Sequence, residues 1–112
     1  MKEVKAYVHA NRIADVIAAL KASTVWAPAA GESPPNLAIY VVKGFLAPID
    51  NVEAVSSIEL GDEIVNECKL ELLCADDHVS ELVEIIRRVG RTGQTNAGWV
   101  CVMAVQQALP IT

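Results

Sequence analysis

The chain lacks any run of about 18 apolar residues free of charge, the minimum for a helix that spans a bilayer, so insertion into a membrane is not expected. It also lacks a CxxC pair, so the common zinc and thiol-redox signatures are missing. Its cysteines number 3, and Cys68, Cys74 and Cys101 all sit inside apolar runs. They read as small buried hydrophobes in strands, which suits a reducing cytoplasm. Positive charge is scarce: 9 Lys and Arg stand against 14 Asp and Glu, for a net charge of −5. The one local basic cluster is Arg87, Arg88 and Arg91. Nucleic-acid binders carry a basic surface that displaces phosphate counterions, so nucleic acid is not an expected partner. The charged start, Met1-Lys2-Glu3, runs straight into an alternating pattern. No signal peptide is expected, and the location reads as cytoplasmic.

What is present is a core-forming composition. Of 112 residues, 53% are hydrophobic and 21% charged, enough for one domain over 1–112 and too little for two. Val4, Ala6 and Val8 alternate with Lys5, Tyr7 and His9, which predicts a half-buried strand over 2–9. Asn11 is a suitable N-cap for a helix over 12–22, whose stripe is Ile13, Val16, Ile17 and Leu20. Residues 24–36 hold three prolines and a glycine and read as a loop. Trp26 in that loop either anchors a partner or packs over a neighbouring subunit's edge. A second strand covers 37–45. Residues 46–67 form a long connection with a turn signal at Gly61-Asp62, consistent with a protruding hairpin. A third strand covers 68–75, with Cys68, Leu70, Leu72 and Cys74 on one face.

Asp76 or Asp77 caps a second helix, striped by Val79, Leu82, Val83, Ile85, Ile86 and Val89 and ended by Gly90. A last strand over 99–105 is apolar on both faces. The order β-α-β-β-α-β predicts an α+β, ferredoxin-like fold: an antiparallel sheet with two helices on one face. No residues remain to cover the sheet's second face, so an oligomer is expected.

Three motifs go beyond fold class. Val41-Val42-Lys43-Gly44-Phe45 ends the second strand, Leu73-Cys74-Ala75-Asp76-Asp77 joins strand to helix, and Arg91-Thr92-Gly93-Gln94-Thr95-Asn96-Ala97-Gly98 links the second helix to the last strand. At this spacing they resemble the P-II nitrogen-regulator family, and the resemblance covers nearly the whole chain. It implies a homotrimer that binds adenine nucleotide between subunits and regulates a partner, a transporter or enzyme, through a protruding T-loop. The T-loop would be residues 46–67, and 91–98 the short loop at the phosphates. Glycines and successive backbone amides there also suit an anion nest on physical grounds, the plain alternative being a helix-to-strand turn. By position Leu37, Ala38, Lys43, Gly44, Leu73, Thr92, Gly93 and Gly98 would line the cleft, with Tyr7 near the base and Arg91 as a further cation.

The chain departs from the family pattern at several points. Trp99 stands where the family has a phosphate-binding lysine, Asn96 where it has a second glycine, and Pro110 and Thr112 where it has arginines. Charge-assisted phosphate contacts are worth about 1.5–3 kcal/mol each, so AMP or ADP is expected rather than ATP. Glu67 replaces the lysine that pairs with 2-oxoglutarate and Pro48 a glutamine, so magnesium-linked 2-oxoglutarate sensing is not expected. The 46–67 stretch has no tyrosine for nucleotidylation. It has no Lys or Arg and is acidic at Asp50, Glu53, Glu59, Asp62, Glu63 and Glu67, which reads either as a solvated loop or as a match for a basic docking surface. The pattern is that of a divergent, P-II-like branch. His9 and His78 read as surface residues with no nucleophile beside them, so no enzyme and no metal site is expected. The alternatives are a trimeric metal-tolerance protein of the CutA type, a P-II-like scaffold without nucleotide, and an amino-acid-binding ACT domain.

Overall fold

Val4, Ala6 and Val8 alternate along Lys2–His9 and sink one face of that strand, β1, into the core. In the computed structural model, whose described residues are 1–26, 35–49, 54–57 and 59–112, β1 is followed by helix α1 (Ile13–Lys21), β2 (Asn36–Gly44), β3 (Ala54–Ser57), β4 (Asp62–Cys74), helix α2 (Val79–Val89) and β5 (Gly98–Ala104). All strand pairs are antiparallel, in the order β2-β4-β1-β5, with short β3 also on β4. Strand-helix alternation and strand order are those of the ferredoxin-like α+β fold, with β3 an addition inside the long connection. Val16 and Leu20 of α1 and Leu82, Ile85 and Ile86 of α2 meet β1 and the Leu70 and Leu72 side of β4 in one cluster. Each such side chain contributes about 1.5–3 kcal/mol on full burial. Most of the chain between 24 and 36 lies outside the described residues.

Several features differ from the sequence reading. Both helices open on a 3-10 turn, Ala10–Arg12 and Asp76–His78, and neither has a side-chain cap. Asn11 lies inside the first turn, exposed. Asp76 is drawn instead to the amino group of Met1, at 2.9 Å, and to Lys2, at 3.6 Å. Arg12 caps in the other direction: its guanidinium donates to the Val89 carbonyl at the end of α2, 3.2 Å from Nε and 2.9 Å from Nη2.

Trp26 packs half-buried against the chain's own core. His9 is fully buried, not on the surface, because it closes β1 directly opposite the buried Glu67 of β4. Burial pushes the thiols of Cys68 and Cys74 up, whereas Cys101 is exposed on the side of the sheet away from the helices. Within the chain Tyr40, Trp99 and Met103 are also exposed on that open side. In its middle Lys69 lies over the rings of Tyr7, at 5.5 Å, and Tyr40, at 5.1 Å. Tyr40, then Glu71, holds the Lys69 ammonium above its ordinary range.

Candidate functional site

β4 extends well before Cys68, to Asp62, and so forms the far arm of a hairpin with β3. Gly61 closes that hairpin with a φ of +68°, where a side chain would be strained. β2 and β3 share one side of β4: Gly44 and Ala54 are both register partners of Val65. The chain therefore leaves the sheet just after Gly44 and returns to the same place, and residues 45–48 are the base of the excursion.

That base is held from two directions. From β4, the Glu67 carboxylate crosses over Gly44 and accepts the Leu46 N–H at 3.2 Å. A Cβ on Gly44 would fall on the carboxylate, so glycine is what lets it pass. Glu67 is 5% exposed, and a carboxylate that deep needs such donors. From the loop between α2 and β5, the Gln94 amide Nε2 donates to the Ala47 carbonyl at 3.0 Å and the Pro48 carbonyl at 3.2 Å. The Thr92 hydroxyl donates to Gln94 Oε1 at 2.9 Å. Turning the amide over would set its oxygen against two carbonyl oxygens, so the network fixes its orientation.

Two open hollows meet beside this base. One, of about 640 Å³, is lined by Tyr7, Lys43, Gly44, Leu46, Glu67, Lys69, Asn96 and Trp99. The other, of about 1200 Å³, runs between α2 and β5 past Arg87, Arg88, Arg91, Gln94 and Gly98. Tyr7, Asn96 and Trp99 border both. Gly98 sets this wall. Its φ is +150°, and a Cβ there would strike the Tyr7 carbonyl oxygen. Without one, β5 lies close against β1 and brings Trp99 opposite Tyr7. Trp99 remains 62% exposed, a large apolar surface at the rim. Lys43 reaches Glu59 of the hairpin at 3.6 Å, and Arg88 is taken by Glu84 at 3.1 Å. Among the described residues no group of three His, Cys, Asp or Glu side chains is placed to hold a metal ion, and no helix is long and apolar enough to cross a membrane.

No family model matches the chain. Among curated proteins it is 27% identical over 77 residues to the "Nitrogen regulatory protein P-II" of Cyanidium caldarium, covering 69% of this chain and 68% of that one. To the protein of the same name in Porphyra purpurea it is 26% identical over 76 residues, 68% of each chain. To that of Pyropia yezoensis it is 23% identical over 111 residues, 99% of this chain and 91% of the relative. The chain is thus similar to P-II proteins at low identity, in line with a divergent, P-II-like chain. The matches join the ferredoxin-like strand order and the long connection between β2 and β4, which the fold class by itself does not require.

In this P-II-like chain the residues singled out from sequence fall into two groups. Tyr7, Lys43 and Gly44 line the smaller hollow, and Arg91 and Gly98 the larger. Thr92 and Gly93 belong to the same loop as Gln94, with Gly93 at a φ of +90°. Leu37, Ala38 and Leu73 lie elsewhere. Leu37 pairs with Leu72, Ala38 with Glu71 and Leu73 with Glu3, all toward the other end of the sheet. At about 3.3 Å per residue, Ala38 stands roughly 17 Å along β2 from Lys43. A single chain therefore does not bring the two groups together. The sequence reading missed Gln94 as a link and saw Glu67 as a substitution and as one acidic residue of the 46–67 stretch, whereas it is buried at the base. Gly44 was the available signal, because glycine inside a β-branched run marks something passing close by.

Proposed function

We propose that this P-II-like chain is a non-enzymatic signalling protein: a homotrimer that binds AMP or ADP in clefts between subunits and regulates a partner through residues 46–67. The observation that carries the reading is the meeting of two segments at one rim. The 91–98 loop, through Arg91, Gln94, Asn96 and Gly98, and the end of β2, with Lys43 and Gly44, both border the hollows beside the excursion's base. A ligand lodged there touches the segment that leads to the hairpin. Leu37, Ala38 and Leu73 then reach the same cleft from a neighbouring copy, which accounts for their distance within one protomer. The exposed side of the sheet, with Tyr40, Trp99 and Met103, supports the assembly that this requires.

Few phosphates suit the charges at hand. Lys43 and Arg91 are the cations that the two motifs bring to the proposed site; of the others lining the hollows, Lys69 and Arg88 are already taken by Glu71 and Glu84, which leaves Arg87, and the Glu67 carboxylate lies beside Lys43. Each missing cation forgoes a contact worth about 1.5–3 kcal/mol, so the last phosphate of ATP finds less support than those of AMP or ADP. Regulation proceeds by population shift: the ligand favours one arrangement of 46–67 over another, and the partner, a transporter or enzyme, fits one of them. The acidic character of that segment suits a basic surface on the partner.

Calorimetric titration with AMP, ADP and ATP tests the reading. Micromolar binding of AMP or ADP, with ATP weaker by about tenfold or more, the effect of one lost charge-assisted contact, is the expected result. Absence of binding by all three would sink it.

A further inference from the structure

Gln94 lines the larger hollow and reaches from it to the excursion's base, whose Phe45, Leu46 and Ala47 line the smaller one. Its backbone belongs to the 91–98 loop. Its carboxamide reaches across a sequence gap of 47 residues to the Ala47 carbonyl. Within its own loop it is braced twice, by the Thr92 hydroxyl on Oε1 at 2.9 Å and by its own N–H on Thr92 Oγ1 at 3.4 Å. Anything that draws on the Thr92 hydroxyl or on Gln94 Nε2 must therefore loosen the hold on Ala47 and Pro48.

We infer that Gln94 is the positioning residue through which occupancy of the 91–98 loop reaches the β3–β4 hairpin. A ligand oxygen that accepts from Nε2, such as a phosphate oxygen, is a stronger acceptor than a peptide carbonyl because it carries charge. It draws the carboxamide away from Ala47 and Pro48, and the base of the excursion keeps its Glu67 contact. The clamped state is thus the one that such a ligand opposes, and the ligand releases the hairpin's base instead of ordering it. The direction of the change rests on the function proposed above; the clamp itself does not.

Amide hydrogen exchange at Leu46 reads the clamp in the full-length protein without ligand. Gln94→Ala is expected to raise exchange there about tenfold, the factor for losing one to two net hydrogen bonds, while amides of β1 such as Val4 stay at wild-type rates. A general loss of stability would raise both. Gln94→Lys keeps an N–H donor that reaches the carbonyls and is expected to restore most of the protection. Unchanged Leu46 exchange in Gln94→Ala, or equal acceleration at Val4, overturns the inference. With saturating AMP the wild type is expected to approach the Gln94→Ala rate at Leu46 and the variant to change little; slower exchange in the wild type overturns the release. If AMP does not bind, the function proposed above fails, and the ligand-free arm still decides whether Gln94 holds the base.

Discussion

Gly44 and Glu67 offer a sharp test, because the structure gives each a cost that depends on the other. Gly44→Ala sets a Cβ where the Glu67 carboxylate lies. The backbone is not the difficulty, since Gly44 is not among the glycines of positive φ. The carboxylate must therefore swing away and surrender the Leu46 N–H. A hydrogen bond to a charged group is worth about 1.5–3 kcal/mol, so Gly44→Ala should cost about 2 kcal/mol. Glu67→Ala should cost a similar amount, because it leaves the Leu46 N–H without its acceptor and vacates a buried volume. In the double variant the new methyl enters vacated space, and alanine also narrows the unfolded ensemble, a gain of about 0.4–1 kcal/mol. The second substitution should then cost nothing or stabilise slightly. The coupling is about 2 kcal/mol, well beyond the 0.3–0.5 kcal/mol or so within which independent sites add. Urea unfolding followed by circular dichroism, at one protein concentration for all four proteins, measures it. Additive costs would show that the carboxylate does not cross Gly44 and would remove the inner half of the clamp.

Two further expectations follow from the surface. Cys101 is exposed and Cys68 and Cys74 are buried, so a thiol reagent on a lone protomer should modify Cys101 alone. If a neighbouring copy covers the open side of the sheet, modification should be slow in concentrated protein and quicken on dilution, and a rate independent of concentration would contradict that cover. Asp76 is held below the usual carboxylate range, first by its hydrogen bond from the Met1 amino group and then by Lys2. A depressed carboxylate stabilises above its unfolded value and loses that contribution as pH falls through its folded value. Asp76→Asn should therefore be slightly less stable than wild type at neutral pH, with the difference closing below about pH 4. A gap that persists in acid would show that this ion pair is not its source.

The parts of the fold that came through from sequence are those set by local period. Val4, Ala6 and Val8 point to one side because β side chains alternate, and Leu82, Ile85 and Ile86 share a helical stripe. What did not come through depends on distant partners. Asp76 looks like a helix cap until the amino terminus takes its carboxylate. His9 continues the outward alternation of Lys5 and Tyr7, yet the end of its strand is covered, and only the pairing of β1 with β4 puts Glu67 across from it. Cys101 matches Cys68 and Cys74 in its apolar neighbours, and the difference between them is which side of the sheet carries the helices.

The candidate site divides in the same way. Glycines at 44, 93 and 98 were visible because each permits a conformation or an approach that other residues resist. The contacts that give those glycines a purpose span 21 residues from Leu46 to Glu67 and 47 from Ala47 to Gln94, and no local pattern pairs them. Their arrangement also limits what a ligand can do. Glu67 takes a donor of the excursion's base, and Gln94 takes acceptors one and two residues later, from another part of the fold. The two holds use different peptide groups, so losing one loosens the other without removing it. On the release inferred above, the chain stays tethered at Leu46 through Glu67 while the Ala47 and Pro48 carbonyls lose their donor. A change of that kind redirects the hairpin without unfolding its root, which is what a docking element needs if a small ligand is to choose between two of its orientations.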